Sequence, residues 1–235
     1  RLYLDWRNAI DIFGKKTEAI ILPKVGQDGF DSYHEMQDWG SDILKAGKGI
    51  GIGSIDRYLN KERLHFYEVD STIATIENTP KNSAVKVQYY GWKTASDKIN
   101  FTSELTIKPN QRYTQHRIHP SKEIEGICTG IVKQKNTEVL KKVSQNKKWA
   151  YLATYGNQSL VPDQLGMAIF YQTESVKDLV DAEFDYLLLF KPTTQAVDFY
   201  FLGAWEQEPN GIQSKEEFVN YLDEKLKTLE KNNTM

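Results

Sequence analysis

Ala84-Val85-Lys86-Val87-Gln88-Tyr89-Tyr90-Gly91-Trp92 and Ile99-Asn100-Phe101-Thr102-Ser103-Glu104-Leu105-Thr106-Ile107 are two runs of β-branched and aromatic residues divided by a short polar break. Such runs, bounded by Asn, Ser, Asp and Pro clusters, read as strands. The same texture recurs at 72–77, 113–118, 126–132, 149–155, 165–171, 186–190 and 196–205. Earlier, 2–6 alternates like a strand and 10–13 continues it after a break at Asn8. Gly14-Lys15-Lys16 reads as a turn, and 19–22 as a short apolar strand stopped by Pro23. Residues 50–59 alternate, with glycines on one side that leave room for another backbone. Asn60-Lys61 then turns the chain into 63–69. The charged segment 136–148 reads as a solvated loop or helical turn. One helix is expected, at the end: Ser214 and Glu217 form a capping box, and Phe218, Leu222, Leu226 and Leu229 make an apolar stripe. The expected fold is an all-β, large antiparallel β-sandwich with one C-terminal α-helix, a supersandwich of mutarotase-like form being one version of it. Alternating strand–helix units are missing, which argues against a doubly wound fold. The chain is treated as one domain over 1–235.

Composition bounds the function. The 235 residues are 40% hydrophobic and 26% charged, with a net charge of −2. There is no basic excess for a phosphate backbone, so nucleic acid is not an expected partner. Apolar runs are too short to span a bilayer, so neither is a membrane. The 12% aromatic content suits sheet faces and sugar-binding surfaces alike. Cys128 is the single cysteine, expected to be a buried, inert thiol, and no intrachain disulfide can form. That fits the cytoplasm and the periplasm equally. The chain starts without Met on a strand-like pattern and is read as lacking its natural N-terminal part. The sequence sets no oligomeric state.

Residues 30–54 carry the densest mix of titratable groups, rings and glycines. They include Tyr33, His34, Asp38, Trp39 and Lys45 and end in Gly47-Lys48-Gly49-Ile50-Gly51-Ile52-Gly53. The glycine run has no Gly-Lys-Ser/Thr and no βα unit, so it is not a phosphate loop. On a helix, His34 and Asp38 would share a face and could hold a metal. The flanking Asp31-Ser32 and Trp39-Gly40 read as loop instead, so neither a metal nor any cofactor is expected. His65, between Leu64 and Phe66, reads as structural. In a strand at 112–118, Arg112 and His116 would share a face, suiting an anion beside an acid/base group. The Tyr155-Gly156-Asn157-Gln158-Ser159 turn reads as a connection.

Three motifs together resemble a known family. They are Asp5-Trp6-Arg7-Asn8-Ala9-Ile10-Asp11-Ile12-Phe13-Gly14-Lys15-Lys16; Tyr33-His34-Glu35-Met36-x-Asp38-Trp39-Gly40-x-Asp42-Ile43-Leu44-Lys45; and Thr154-Tyr155-Gly156-x-Gln158-Ser159-Leu160-x-x-Asp163-x-Leu165-Gly166-Met167-Ala168. The family is a domain of unknown function from bacterial polysaccharide-utilisation loci, similar to an oligosaccharide dehydratase that acts on ulvan. The resemblance implies a hydro-lyase, a periplasmic location and an acidic oligosaccharide as partner. It implies loss of water from a non-reducing-end uronic acid to leave a 4,5-unsaturated sugar.

That elimination needs a base at C5, an acid at the 4-hydroxyl and a cation at the carboxylate. Tyr33 and His34 are the expected acid/base pair, with His116 as a partner for whichever of them acts. Arg112 or Arg7 would clamp the carboxylate, Trp39 would stack on the sugar, Asp38 would orient His34, and Lys45 completes the binding set. Two rival readings stay open, a polysaccharide lyase acting on a uronic-acid polymer and a non-catalytic sugar-binding β-sandwich.

Overall fold

The computed structural model describes residues 2–4, 8–161 and 163–235, with residues 2–4, 30 and 31 described by backbone alone. In chain order the strands are β1 (Leu2–Leu4), β2 (Ile10–Lys15), β3 (Gly40–Asp42), β4 (Asp56–Leu59), β5 (Glu62–Leu64), β6 (Ser71–Asn78), β7 (Ser83–Thr94) and β8 (Asp97–Ile107). There follow β9 (Tyr113–Pro120), β10 (Ile127–Val132), β11 (Thr137–Val143), β12 (Trp149–Asn157), β13 (Gln164–Gln172), β14 (Val176–Asp181), β15 (Asp185–Phe190), β16 (Val197–Trp205) and α1 (Lys215–Asn232).

The runs 84–92 and 99–107 lie in β7 and β8, the two longest strands among the described residues. They lie in an eight-stranded antiparallel sheet ordered β11-β12-β13-β16-β9-β8-β7-β6. A second sheet is ordered β14-β15-β10-β4-β5, and a third β1-β2-β3. The glycine run joins these last two. Ile52 N–H donates to Ile10 O at 3.0 Å, and Val132 N–H to Gly51 O at 2.7 Å.

Period-two alternation decides what each face of the large sheet meets. Leu152, Ile169 and Phe201 form one row across β12, β13 and β16 and belong to the main core, with Ile10, Ile52, Ile131 and Leu188 of the smaller sheets. The adjacent row, Tyr151, Phe170 and Tyr200, faces away and packs on α1 through Phe218, Leu222, Leu226 and Leu229. Each of those four helix side chains is buried, worth about 1.5–3 kcal/mol apiece. Ser214 Oγ accepts the Glu217 N–H at 3.2 Å, and Glu217 reaches back to the Gln213 N–H at 2.8 Å. The molecule is thus a β-sandwich with one C-terminal helix on its outer face.

Several local expectations give way to geometry. Gly14 and Lys15 belong to β2 rather than a turn; a side chain at Gly14 would enter the Trp205 ring. Residues 19–22 do not pair: Ile20 is exposed, and Leu22–Lys24 is a 3-10 turn with Pro at its start. The 50–59 pattern yields a strand only from Asp56, because Gly51 and Gly53 take positive φ and break the pleat. The expected close approach is real, since a Cβ on Gly51 would overlap the Ile10 carbonyl. Asn60 and Lys61 both have positive φ, as a tight hairpin requires, but β5 ends at Leu64. The charged segment 137–143 is β11, an edge strand, where lysines discourage further pairing.

Candidate functional site

The site grows from the β2–β3 pair. Their register puts Phe13 opposite Asp42 and Lys15 opposite Gly40. A turn precedes β3, closed by Gln37 N–H to Gly40 O at 2.9 Å and Gly40 N–H to Gln37 O at 3.1 Å. Lys16 N–H donates to Trp39 O at 2.7 Å, fixing the turn on β2. Gly40 has φ +127°, and a Cβ there would overlap the Gly14 carbonyl. Gly40→Ala is therefore expected to destabilise by at least about 2 kcal/mol, roughly 5 °C in Tm by thermal unfolding. An unchanged Tm would contradict the backbone placement.

Phe13 collects the rings. Its centroid is 5.5 Å from Tyr33, and it lies nearly parallel to Trp39 at 6.4 Å. Tyr33 ends the 3-10 turn Phe30–Tyr33, and His34 follows it directly. The curled backbone brings both rings to one side, with centroids 4.4 Å apart, where an extended loop would have pointed them apart. His34 Nε2 is 3.7 Å from Asp42 Oδ2, a through-space ion-pair distance rather than a hydrogen bond. Asp42 Oδ1 accepts the Leu44 N–H at 3.1 Å. Burial pushes the Asp42 carboxyl up to about 6, against the pull of the Leu44 amide and of His34. A half-exposed His, an adjacent Tyr and a buried carboxylate titrating near neutrality can hold and move protons.

The remaining candidates lie as follows. Asp38 is exposed on the turn, and the carboxylate that meets His34 is Asp42. Residues 34–38 are not helical, so His34 and Asp38 do not form the helical pair a metal motif would need. Among the described residues no group of three or more His, Cys, Asp and Glu is placed for a metal. Lys45 is exposed, its carbonyl bonded by Gln134 Nε2 at 2.7 Å. Arg7 lies outside the described residues. His116 is in the main core at 1% exposure, between Ser103 Oγ at 2.6 Å and Gly53 O at 2.8 Å. Burial lowers it to about 4, so it is a neutral packing residue and not a partner of Tyr33 or His34. Arg112 pairs with Glu208 at 2.6 Å, donates to Asn210 O and covers the Tyr221 ring of α1. Its charge is committed there.

Sequence reading missed Phe13 and Asp42, whose meeting depends on strand register. It also missed a second polar centre. On the outer side of the β4–β5 hairpin lies a cleft of about 510 Å³ lined by Lys48, Tyr58, Lys61, Arg63, His65 and Asp185, among others. His65, read as structural, has Nδ1 at 3.1 and 3.0 Å from the two oxygens of Asp56. Arg63 Nη1 reaches Asp56 at 2.8 Å and its Nε lies 2.9 Å from Asp185 Oδ2, too far off line for a hydrogen bond. Asp185 Oδ1 accepts the Ile50 N–H at 2.8 Å. Burial raises both carboxyls, Asp185 to about 6. Cys128 is buried beside Asp56, its thiol raised well above the usual range and inert.

Fold and site together describe an all-β sandwich protein with a His–Tyr–carboxylate group at one edge. The sequence matches the domain of unknown function family DUF4861 over residues 1–234, and the chain belongs to that family. No curated protein sequence matches it. Among solved structures it is similar to a protein described as a kojibiose phosphorylase from the human microbiome, at TM-score 0.46 and 12% identity over 75% of this chain and 25% of that one. It is also similar to a quadruple mutant of the α-N-acetylgalactosaminidase NagBb from Bifidobacterium bifidum, at TM-score 0.39 and 9% identity over 73% and 33% of the two chains. The chain spans a quarter to a third of those proteins, and likeness at that level carries no argument about activity. Among the described residues no helix is long and apolar enough to cross a membrane.

Proposed function

We propose that this protein is a carbohydrate-active hydro-lyase that removes water from the non-reducing-end uronic acid of an acidic oligosaccharide, working in the periplasm. The observation that carries the reading is the juxtaposition of His34, Tyr33 and Asp42 beside Trp39. The three-motif resemblance supports the substrate class.

The C5 proton of a uronate is weakly acidic while its carboxylate is ionised. His34 takes that proton as the base, and Asp42, ionised, orients it and stabilises the imidazolium that forms. Tyr33, with its ring against His34, gives its proton to the departing 4-hydroxyl. Each transfer is worth about a hundredfold or more. Trp39 offers the ring face not packed on Phe13 to the sugar. Lys45, three residues beyond Asp42, is the cation this segment offers the substrate carboxylate, an interaction of roughly 3 kcal/mol when well aimed.

The pH profile tests this assignment. Asp42 must lose its proton to act, so kcat/KM is expected to rise as pH climbs through about 6. Asp42→Asn is expected to lower the rate about a hundredfold and displace that limb. A variant that keeps both rate and limb would exclude Asp42 from the chemistry.

A further inference from the structure

The cleft on the outer side of β4 and β5 is lined by none of Tyr33, His34, Trp39, Asp42 and Lys45, and it is built like a ligand site. Its volume of about 510 Å³ falls within the range of small-molecule pockets. The floor is polar but internally settled. Arg63 is held by Asp56, by Asp185 and by the Lys48 carbonyl, so its charge neutralises the buried carboxylates. His65 is fixed through Nδ1 by Asp56, which leaves Nε2 as the nitrogen it can offer a ligand. The walls differ in character. Tyr67 and Phe184 are 62% and 36% exposed, and Tyr58 is half-buried. Lys48 Nζ stands over the Phe184 ring at 5.4 Å, and Lys61 is exposed on the hairpin turn. Glu62 and Glu183, both exposed, line the same space.

Each feature narrows the ligand. Ring faces suit the apolar face of a ring compound. Lys48 and Lys61 suit an anionic group. Glu62 and Glu183 accept hydrogen bonds from hydroxyls but repel a compact, highly charged anion such as phosphate. The complement of all three is a polyhydroxylated ring with one negative charge. We propose that this cleft is a second saccharide site, for a sugar residue bearing a single carboxylate or sulfate, separate from the Tyr33–His34–Asp42 group.

Calorimetric titration tests it with glucuronate, glucose 6-sulfate, glucose and inorganic phosphate as probes. The two charged sugars are expected to bind saturably, at least about tenfold tighter than glucose or phosphate. Lys48→Met combined with Lys61→Asn, and separately Phe184→Ala, are expected to weaken that binding at least about tenfold. Asn suits the positive φ of 67° at Lys61, so the turn is kept. Thermal unfolding confirms that the variants fold. His34→Ala is expected to leave cleft binding unchanged. Absence of saturable binding, phosphate binding as tightly as glucuronate, or indifference to the cleft variants would each overturn the proposal. Binding lost only in His34→Ala would also overturn it, while supporting sugar recognition at the elimination site.

Discussion

Replacing Arg63 by Met is expected to cost about 3–5 kcal/mol at neutral pH, the usual penalty for stranding buried charge. The guanidinium lies against two carboxylates that are each 2% exposed or less, and it also holds the Lys48 carbonyl. Met fills similar volume, so the loss is electrostatic rather than a cavity. The sign of its pH dependence follows from Asp185, whose pKa burial raises from 3.8 to about 6. A carboxyl raised on folding contributes stability below its unfolded value and loses it as pH climbs through the folded one. Without Arg63 both carboxyls rise further, so the variant is weakest at neutral and alkaline pH and partly recovers near about pH 5. In a chain of this size the neutral-pH loss corresponds to roughly 10 °C in Tm. A loss below about 1 kcal/mol, or one that deepens in acid, would show that Arg63 does not hold the two carboxylates together.

His34→Ala is expected to reduce turnover about 10²- to 10⁴-fold, the span of a lost acid/base group. The side chain is 38% exposed and lies outside the core clusters, so Tm should move little. This separates chemistry from folding, which Arg63→Met does not. His116→Ala should behave oppositely. Its ring fills space against Phe199 at 4.9 Å and ties Ser103 to Gly53, so its loss should lower stability far more than turnover of the folded fraction.

The strands with a strong period were readable directly. β7, β8, β12, β13 and β16 bury one or both faces, so their buried positions are filled mostly by aliphatic and aromatic residues. The helix was legible because Ser214 caps it and four residues at helical spacing face the sheet. What escaped is set by context. Thr137–Val143 has the composition of a loop and becomes a strand because β12 offers it an open edge. Ile50 to Ile55 has the alternation of a strand and is not one, because Gly51 and Gly53 use the left-handed region. At the site, Tyr33, His34 and Trp39 stood out as residue types clustered in sequence. Asp42 could not be preferred to Asp38 without the β2–β3 register that sets it opposite Phe13. The polar role of His65 was not legible because Asp56 and Asp185, the carboxylates that act on it, come from β4 and β15, the latter far along the chain.

The most direct test of the central claim is the product mass after incubation with oligosaccharides that end in a uronic acid at the non-reducing end. The wild-type protein should give a product lighter by one water with the chain length unchanged, and His34→Ala should give almost none in the same time. Two shorter fragments, an unchanged substrate with the wild-type protein, or equal product from His34→Ala would contradict elimination of water at the Tyr33–His34–Asp42 group.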